Sequence, residues 1–152
     1  MTDLDVRIVT LEPLQYISAY GFGREPEAQA WEKLLSWMKA RGLGFAGRRA
    51  FGFNNPSPAP GSPHYGYEQW LSVEAGLEPE GDLRLGRFAG GLYAVTRCPG
   101  TPNPEIWGRL VQWRETSSYR PAHHQWLEEL LTPELIGQWD RAQFDLFLPI
   151  AE

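Results

Sequence analysis

Cysteine is almost missing from this chain: Cys98 stands alone among 152 residues. That excludes an internal disulfide and any cysteine-built metal cluster, and it suits a reducing compartment such as the cytoplasm. Histidine is scarce as well, with only His64, His123 and His124. Two neighbouring histidines on a strand point apart, and no further ligand stands at a sensible spacing, so neither a metal nor another cofactor is expected. Basic residues do not dominate either: 14 face 19 acidic ones for a net charge of −5. Arg48-Arg49 is the only adjacent basic pair, which leaves no stripe for a phosphate backbone or an anionic lipid surface, so no direct nucleic-acid partner is expected. No apolar run approaches a membrane span, and the acidic Asp3, Asp5 and Glu12 stand where a secretory leader needs a basic start. The Gly21 and Gly23 pair lacks the rest of a phosphate-binding fingerprint, and nothing places Cys98 beside a base that would make it a nucleophile.

What the chain does have is aromatic residues, 13% of the total with seven tryptophans. Large rings build cores, and they also line pockets for flat or cationic ligands. One compact domain, residues 1–152, is expected from the length.

The punctuation by proline and glycine divides the chain. Val6 to Tyr20 is β-branched and aromatic around Pro13, predicting a strand or bent strand pair ended by Gly21 and Gly23. Pro26 opens a helix predicted over 27–41, with Trp31, Leu34, Leu35 and Met38 at helical spacing and Gly42 and Gly44 as its stop. Strands are expected over 49–54 and 65–73, joined as a hairpin by the proline-rich Asn54 to Pro63, then over 83–88 and 92–98. A second helix begins at Pro104, carries Ile106, Trp107, Leu110, Val111 and Trp113, and ends near Ser117. His123 to Leu131 reads as a further strand, Thr132-Pro133-Glu134 as a short helical turn, and Phe144 to Ile150 as the last strand.

A repeat runs through this order. Trp31, Leu34, Leu35 and Trp37 match Trp107, Leu110, Val111 and Trp113 at one constant offset of 76 residues, the separation of Trp31 from Trp107. Tyr16 to Tyr20 falls opposite Leu92 to Thr96, and Ala50 to Pro56 opposite Leu127 to Pro133. The expected class is therefore α+β: two strand-helix-strand-strand halves, about 1–78 and 79–152, related by a pseudo-twofold axis, with an antiparallel sheet, two main helices and a central pocket.

Two adjacent carboxylates, Glu128 and Glu129, sit among apolar residues of the 123–131 segment. On a strand they point to opposite faces, with Trp126 sharing the face of Glu128, so one of them turns inward and needs a partner or a charged ligand. Glu128 is the expected inward one. Trp126, Trp107 and Trp31 are candidate ring contacts, as are Tyr67, Glu68 and Trp70 on one strand and Phe51 and Phe53 on another. The alternative for each is an ordinary core or surface role.

Several runs, taken in order, resemble the GyrI-like, or AraC-type, effector-binding domain family. They are Val6 to Tyr20, Phe51-Gly52-Phe53-Asn54-Asn55-Pro56, Tyr65-Gly66-Tyr67-Glu68 and Gly90-Gly91-Leu92-Tyr93-Ala94-Val95. The Trp107 to Trp113 helix, His124 to Leu130 and Phe144-Asp145-Leu146-Phe147-Leu148-Pro149-Ile150 complete the set, and together they cover nearly the whole chain. The resemblance implies tandem halves around an aromatic pocket whose floor glutamate meets lipophilic cations, and by position that residue falls on Glu128, with Glu129 as its neighbour in register. The family's glutamate is followed by an apolar residue and then tyrosine, whereas here Glu129 and Leu130 follow. The implied function is binding or sensing of a lipophilic, often cationic or planar small molecule in the cytoplasm. Two alternatives are a hydrolase in which the pocket glutamate activates water, and a module that inhibits a protein partner such as gyrase. No helix-turn-helix accompanies the domain, so a DNA-linked role would need a separate regulatory protein.

Overall fold

A computed structural model describes residues 4–152. Their contacts divide into two compact units: unit I is Leu14–Phe88, and unit II joins residues 4–13 to Ala89–Glu152.

Unit I is built on a four-stranded antiparallel sheet. Its strands are β2 (Leu14–Gly23), β3 (Ala50–Asn54), β4 (Tyr65–Ser72) and β5 (Arg84–Phe88), ordered β3-β4-β2-β5. Helix α1 (Pro26–Ala40) lies on β2 and β4. Proline at its first turn has no N–H to leave unsatisfied, and the chain escapes the helix through Gly42 at φ +65°. Of the apolar stripe read from the sequence, Trp31, Leu34 and Met38 are buried together with Ala30 and Trp37, whereas Leu35 is exposed. Burial of each tryptophan contributes about 1.5–3 kcal/mol.

Unit II repeats the plan. The strands β1 (Val6–Leu11), β6 (Gly91–Pro99), β8 (Leu127–Leu130) and β9 (Gln143–Ala151) run in the order β1-β6-β9-β8, and the two-residue β7 (Arg120–Pro121) adds to β9. Helix α2 (Pro104–Glu115) packs on β6 and β9, the counterparts of β2 and β4. Its start is capped by Asn103, whose Oδ1 accepts from the Ile106 backbone N–H at 2.9 Å. Leu110 is fully buried like its counterpart Leu34, but Trp107 and Trp113 stay half-exposed where Trp31 and Trp37 are buried. Core residues under α2 are Ala94, Cys98, Leu146, Leu148 and Ile150.

Three expectations change. The strand beginning at Leu14 does not stop at Gly21 but continues through Gly23, and Gly21 lacks a Cβ because the carbonyl of Pro26 at the start of α1 lies where one would project. Pro13 does more than bend one strand: the segments on either side of it, β1 and β2, belong to different units. In the 123–131 segment only Leu127–Leu130 is in the ladder, and the chain bends at His124. Side chains hold its first part instead, since His124 Nε2 lies 2.8 Å from the Leu92 carbonyl and the Tyr93 hydroxyl donates to the Gln125 carbonyl. Among the described residues, no helix is long and apolar enough to cross a membrane.

Candidate functional site

Cross-strand register decides which side chains share a face, because directly opposed residues project the same way. In unit I the rows Ala19–Gln69–Gly52 and Gly21–Tyr67–Asn54 face α1, since a Cβ on Gly21 would run into the Pro26 carbonyl at the start of that helix. The rows Ser18–Trp70–Phe51 and Tyr20–Glu68–Phe53 therefore occupy the other face. This separates the candidates on one strand: Glu68 and Trp70 lie together with Phe51 and Phe53, while Tyr67 is buried on the α1 side with its ring over Gly52. Trp31 belongs to the α1 core and meets Phe45 edge-on at 5.9 Å.

Trp70 is the centre of that second face. Tyr16 stacks on it at 4.0 Å and 10°, Phe53 meets it edge-on at 5.3 Å, and Phe88 lies 5.6 Å away. The Tyr16 ring fits because Gly86 on β5, opposite Tyr16 in register, has no side chain: a Cβ there would stand 2.5 Å from the ring. At the rim, the Trp70 indole N–H donates to Glu68 Oε2 at 2.6 Å. Burial pushes the Tyr16 phenol above its ordinary value and the Glu68 charge adds to the shift, so Tyr16 stays a neutral donor. Glu68 and Tyr16 are half-buried, while Trp70, Phe51 and Phe53 are buried. Arg49 lies over the Phe51 ring at 4.9 Å. The face thus combines stacked rings, a carboxylate held by an indole and a cation on one phenyl ring.

Unit II presents different chemistry on its corresponding face. The row Arg97–Asp145–Glu129 points away from α2, whereas Thr96–Leu146–Glu128 points toward it. Glu128 and Glu129 do face opposite ways, but the buried one is Glu129, 7% exposed, and Glu128 is only half-buried. Glu128 instead accepts the Trp107 indole N–H at 3.3 Å, beside Trp126, whose ring centroid is 5.2 Å from that of Trp107. Sequence reasoning passed over Asp145. It is 4% exposed and bridged by Arg7 at 2.9 Å and by Arg97 at 2.7 Å.

Cys98 is no nucleophile here. Burial pushes its thiol up against a lowering contact from Asn103, and the Glu128 charge raises it further. Clefts of about 590 and 750 Å³ lie beside α1, lined by polar residues such as Gln29, Glu32 and Lys33 and by Arg24 and Glu25. They hold none of the rings around Trp70, and the Lys33–Asp82 ion pair at 2.7 Å is part of the first one's wall, so the aromatic face is the better-built candidate.

The family model described as integron-associated effector binding protein matches residues 7–150. No curated protein matches the sequence. Among solved structures, EcmrR in its complex with DNA superposes with a TM-score of 0.75 at 14% identity, covering 100% of this chain and 59% of that one, so the present chain spans less than two thirds of that protein. A hydrolase from Listeria innocua gives 0.68 at 14% identity over 99% of this chain and 94% of its own. SAV2435 bound to tetraphenylphosphonium gives 0.50 at 10% identity, over 97% and 94%. At such identities these likenesses establish the fold.

Proposed function

The chain belongs to the integron-associated effector-binding family, and from that premise we propose that it binds a lipophilic, cationic or planar small molecule on the aromatic face of unit I. The observation that carries this reading is the Tyr16–Trp70 stack with Glu68 fixed on the Trp70 indole. A ring face attracts a cation by roughly 0.5–2 kcal/mol, more when water is excluded, and a carboxylate at the rim supplies the countercharge. The row in unit II is less suited to the task, because Asp145 already has two guanidiniums. Tetraphenylphosphonium in SAV2435 is an example of the ligand class. The role is sensing or sequestration in the cytoplasm, and the net charge of −5 gives these 152 residues no general attraction to DNA.

Titration of the protein with tetraphenylphosphonium and with neutral triphenylphosphine oxide, followed by tryptophan fluorescence, tests the reading. Saturable binding that favours the cation about tenfold or more is the expected result. Equal or absent binding of both sinks it.

A second reading has one observation in its favour: Tyr16, a phenol kept protonated, lies on the same face as a carboxylate. Glu68 as base on a water and Tyr16 as acid would make a hydrolase, the name given to the Listeria innocua neighbour. Turnover giving a product heavier by one water supports it, and recovery of unaltered ligand supports simple binding.

A further inference from the structure

Strand β5 ends the sheet of unit I and pairs with β2 alone among the described residues. Its Arg84, Leu85 and Arg87 are exposed, Leu85 at 44%, so the outer edge is open to solvent along most of the strand. An antiparallel edge turns alternate backbone N–H and C=O groups outward, where a further strand can pair with them. Neither arginine has a hydrogen bond or ion pair among the described residues, whereas Arg7, Arg41, Arg48 and Arg97 are each bridged to a carboxylate. The carboxylate nearest in sequence, Asp82, is taken by Lys33 at 2.7 Å. Register places Leu85 and Arg87 on the α1 side, opposite Ile17 and Gln15, and Arg84 on the other face, opposite Ser18. In a chain of net charge −5 this edge thus carries free positive charge on both faces, beside an exposed apolar side chain.

We propose that β5 is a docking edge for an extended acidic segment of another protein, which adds to the sheet as an antiparallel strand. Strand addition draws affinity from main-chain bonds and specificity from the side chains that oppose each other across the new ladder. The register sets the pattern of the incoming segment. Read from its N-terminus it is acidic, small, apolar, acidic: the carboxylates stand opposite Arg87 and Arg84, and the apolar side chain opposite Leu85. The position opposite Gly86 meets the Tyr16 ring, which lies over that glycine, and takes a small or β-branched residue. A second copy of β5 does not fit, because pairing Arg84–Phe88 with itself gathers four guanidiniums and no carboxylate. The proposal goes beyond ligand binding and stands whether or not the aromatic face holds a ligand, since it uses the outer edge and the exposed side chains of β5.

The test is a titration of the full chain, labelled with nitrogen-15, with two acetylated and amidated peptides, Thr-Glu-Thr-Val-Glu-Thr and its basic counterpart Thr-Lys-Thr-Val-Lys-Thr. The assigned backbone amide resonances are read. The acidic peptide is expected to shift Arg84 to Phe88 saturably at millimolar concentration, and the basic one to bind at least about fivefold more weakly. Added salt weakens the acidic response. Reversing both charges, Arg84→Glu with Arg87→Glu, should exchange the preference, so that the basic peptide binds and the acidic one does not. A purely structural role for the arginines cannot produce that exchange. Both side chains are exposed, and the dispersion of the variant's amide spectrum checks its fold. Arg84→Gln with Arg87→Gln, which removes the charges without reversing them, should leave equal, weak responses to the two peptides. No response to the acidic peptide, equal responses of the parent chain to both, shifts confined to residues outside β5 and β2, or an acidic preference that survives either double variant would each overturn the proposal.

Discussion

Units I and II lay out strands and helix in the same order but furnish the sheet face away from the helix with different chemistry. Unit I fills its face with rings and leaves one carboxylate, Glu68, at the rim on an indole N–H. Unit II crosses the corresponding face with a charged row, Arg97, Asp145 and Glu129 with Arg7 added, beside an apolar row of Val95, Phe147 and Leu127. A duplicated backbone plan therefore does not dictate which side chains stand on the face away from its helix. The helices differ in the same way: α1 buries both of its repeated tryptophans, and α2 leaves both half-exposed.

The comparison breaks most visibly at Trp70. Removing this buried ring by Trp70→Ala should cost about 3–5 kcal/mol in chemical denaturation, as for other buried aromatics. Trp126→Ala, at an exposed indole in unit II, should cost well under about 1 kcal/mol. Similar losses for the two would mean that Trp70 is not the packed centre of its face.

On the charged face, Arg7→Ala or Arg97→Ala alone should cost about 1 kcal/mol or less, because each guanidinium is half-exposed and the other remains. The double variant leaves Asp145 buried without either bridge, and about 3 kcal/mol is the expected loss. Strict additivity of the two single losses would show that the arginines do not share Asp145 as a common partner.

The smallest effect is in alkaline solution. Burial raises the phenols of both Tyr16 and Tyr93, Tyr93 further, and Glu68 contributes at Tyr16. A raised folded-state value means the folded protein holds its proton longer than the unfolded chain does. The associated stability is thus complete below the ordinary value of 10 and is lost as the pH climbs above it. Tyr93→Phe should flatten the fall in unfolding midpoint above that pH more than Tyr16→Phe does. The reverse order would mean that the ring in unit I is the more deeply desolvated.

Much of this was legible in the residues. The apolar spacing of Trp31, Leu34, Leu35 and Met38, with Pro26 before and Gly42 after, defined α1, although Leu35 is exposed, and the 76-residue offset located α2 and its strands. The facing of β8 was not legible, because alternation says only that Glu128 and Glu129 oppose each other, and the choice depends on which side α2 packs. Trp126 does lie with Trp107 beside Glu128, although it precedes the strand, which begins only at Leu127. The ring cluster escaped because Tyr16, Trp70 and Phe88 lie on three different strands, and their meeting depends on the pairing of β2 with both β4 and β5. Asp145 was hidden by its own neighbours, a charge inside an otherwise apolar strand whose partners Arg7 and Arg97 are far away in sequence.

The central claim, that the countercharge for a cationic ligand sits in unit I, is tested most directly by measuring tetraphenylphosphonium affinity in Glu68→Gln and Glu129→Gln beside the parent chain. Unfolding midpoints are recorded alongside, since Glu129 is buried. Each substitution keeps the shape and removes one charge. The account predicts a loss of about tenfold or more in Glu68→Gln, with triphenylphosphine oxide binding unchanged, and little loss in a folded Glu129→Gln. A large loss in Glu129→Gln with Glu68→Gln unaffected would contradict it and move the countercharge to unit II.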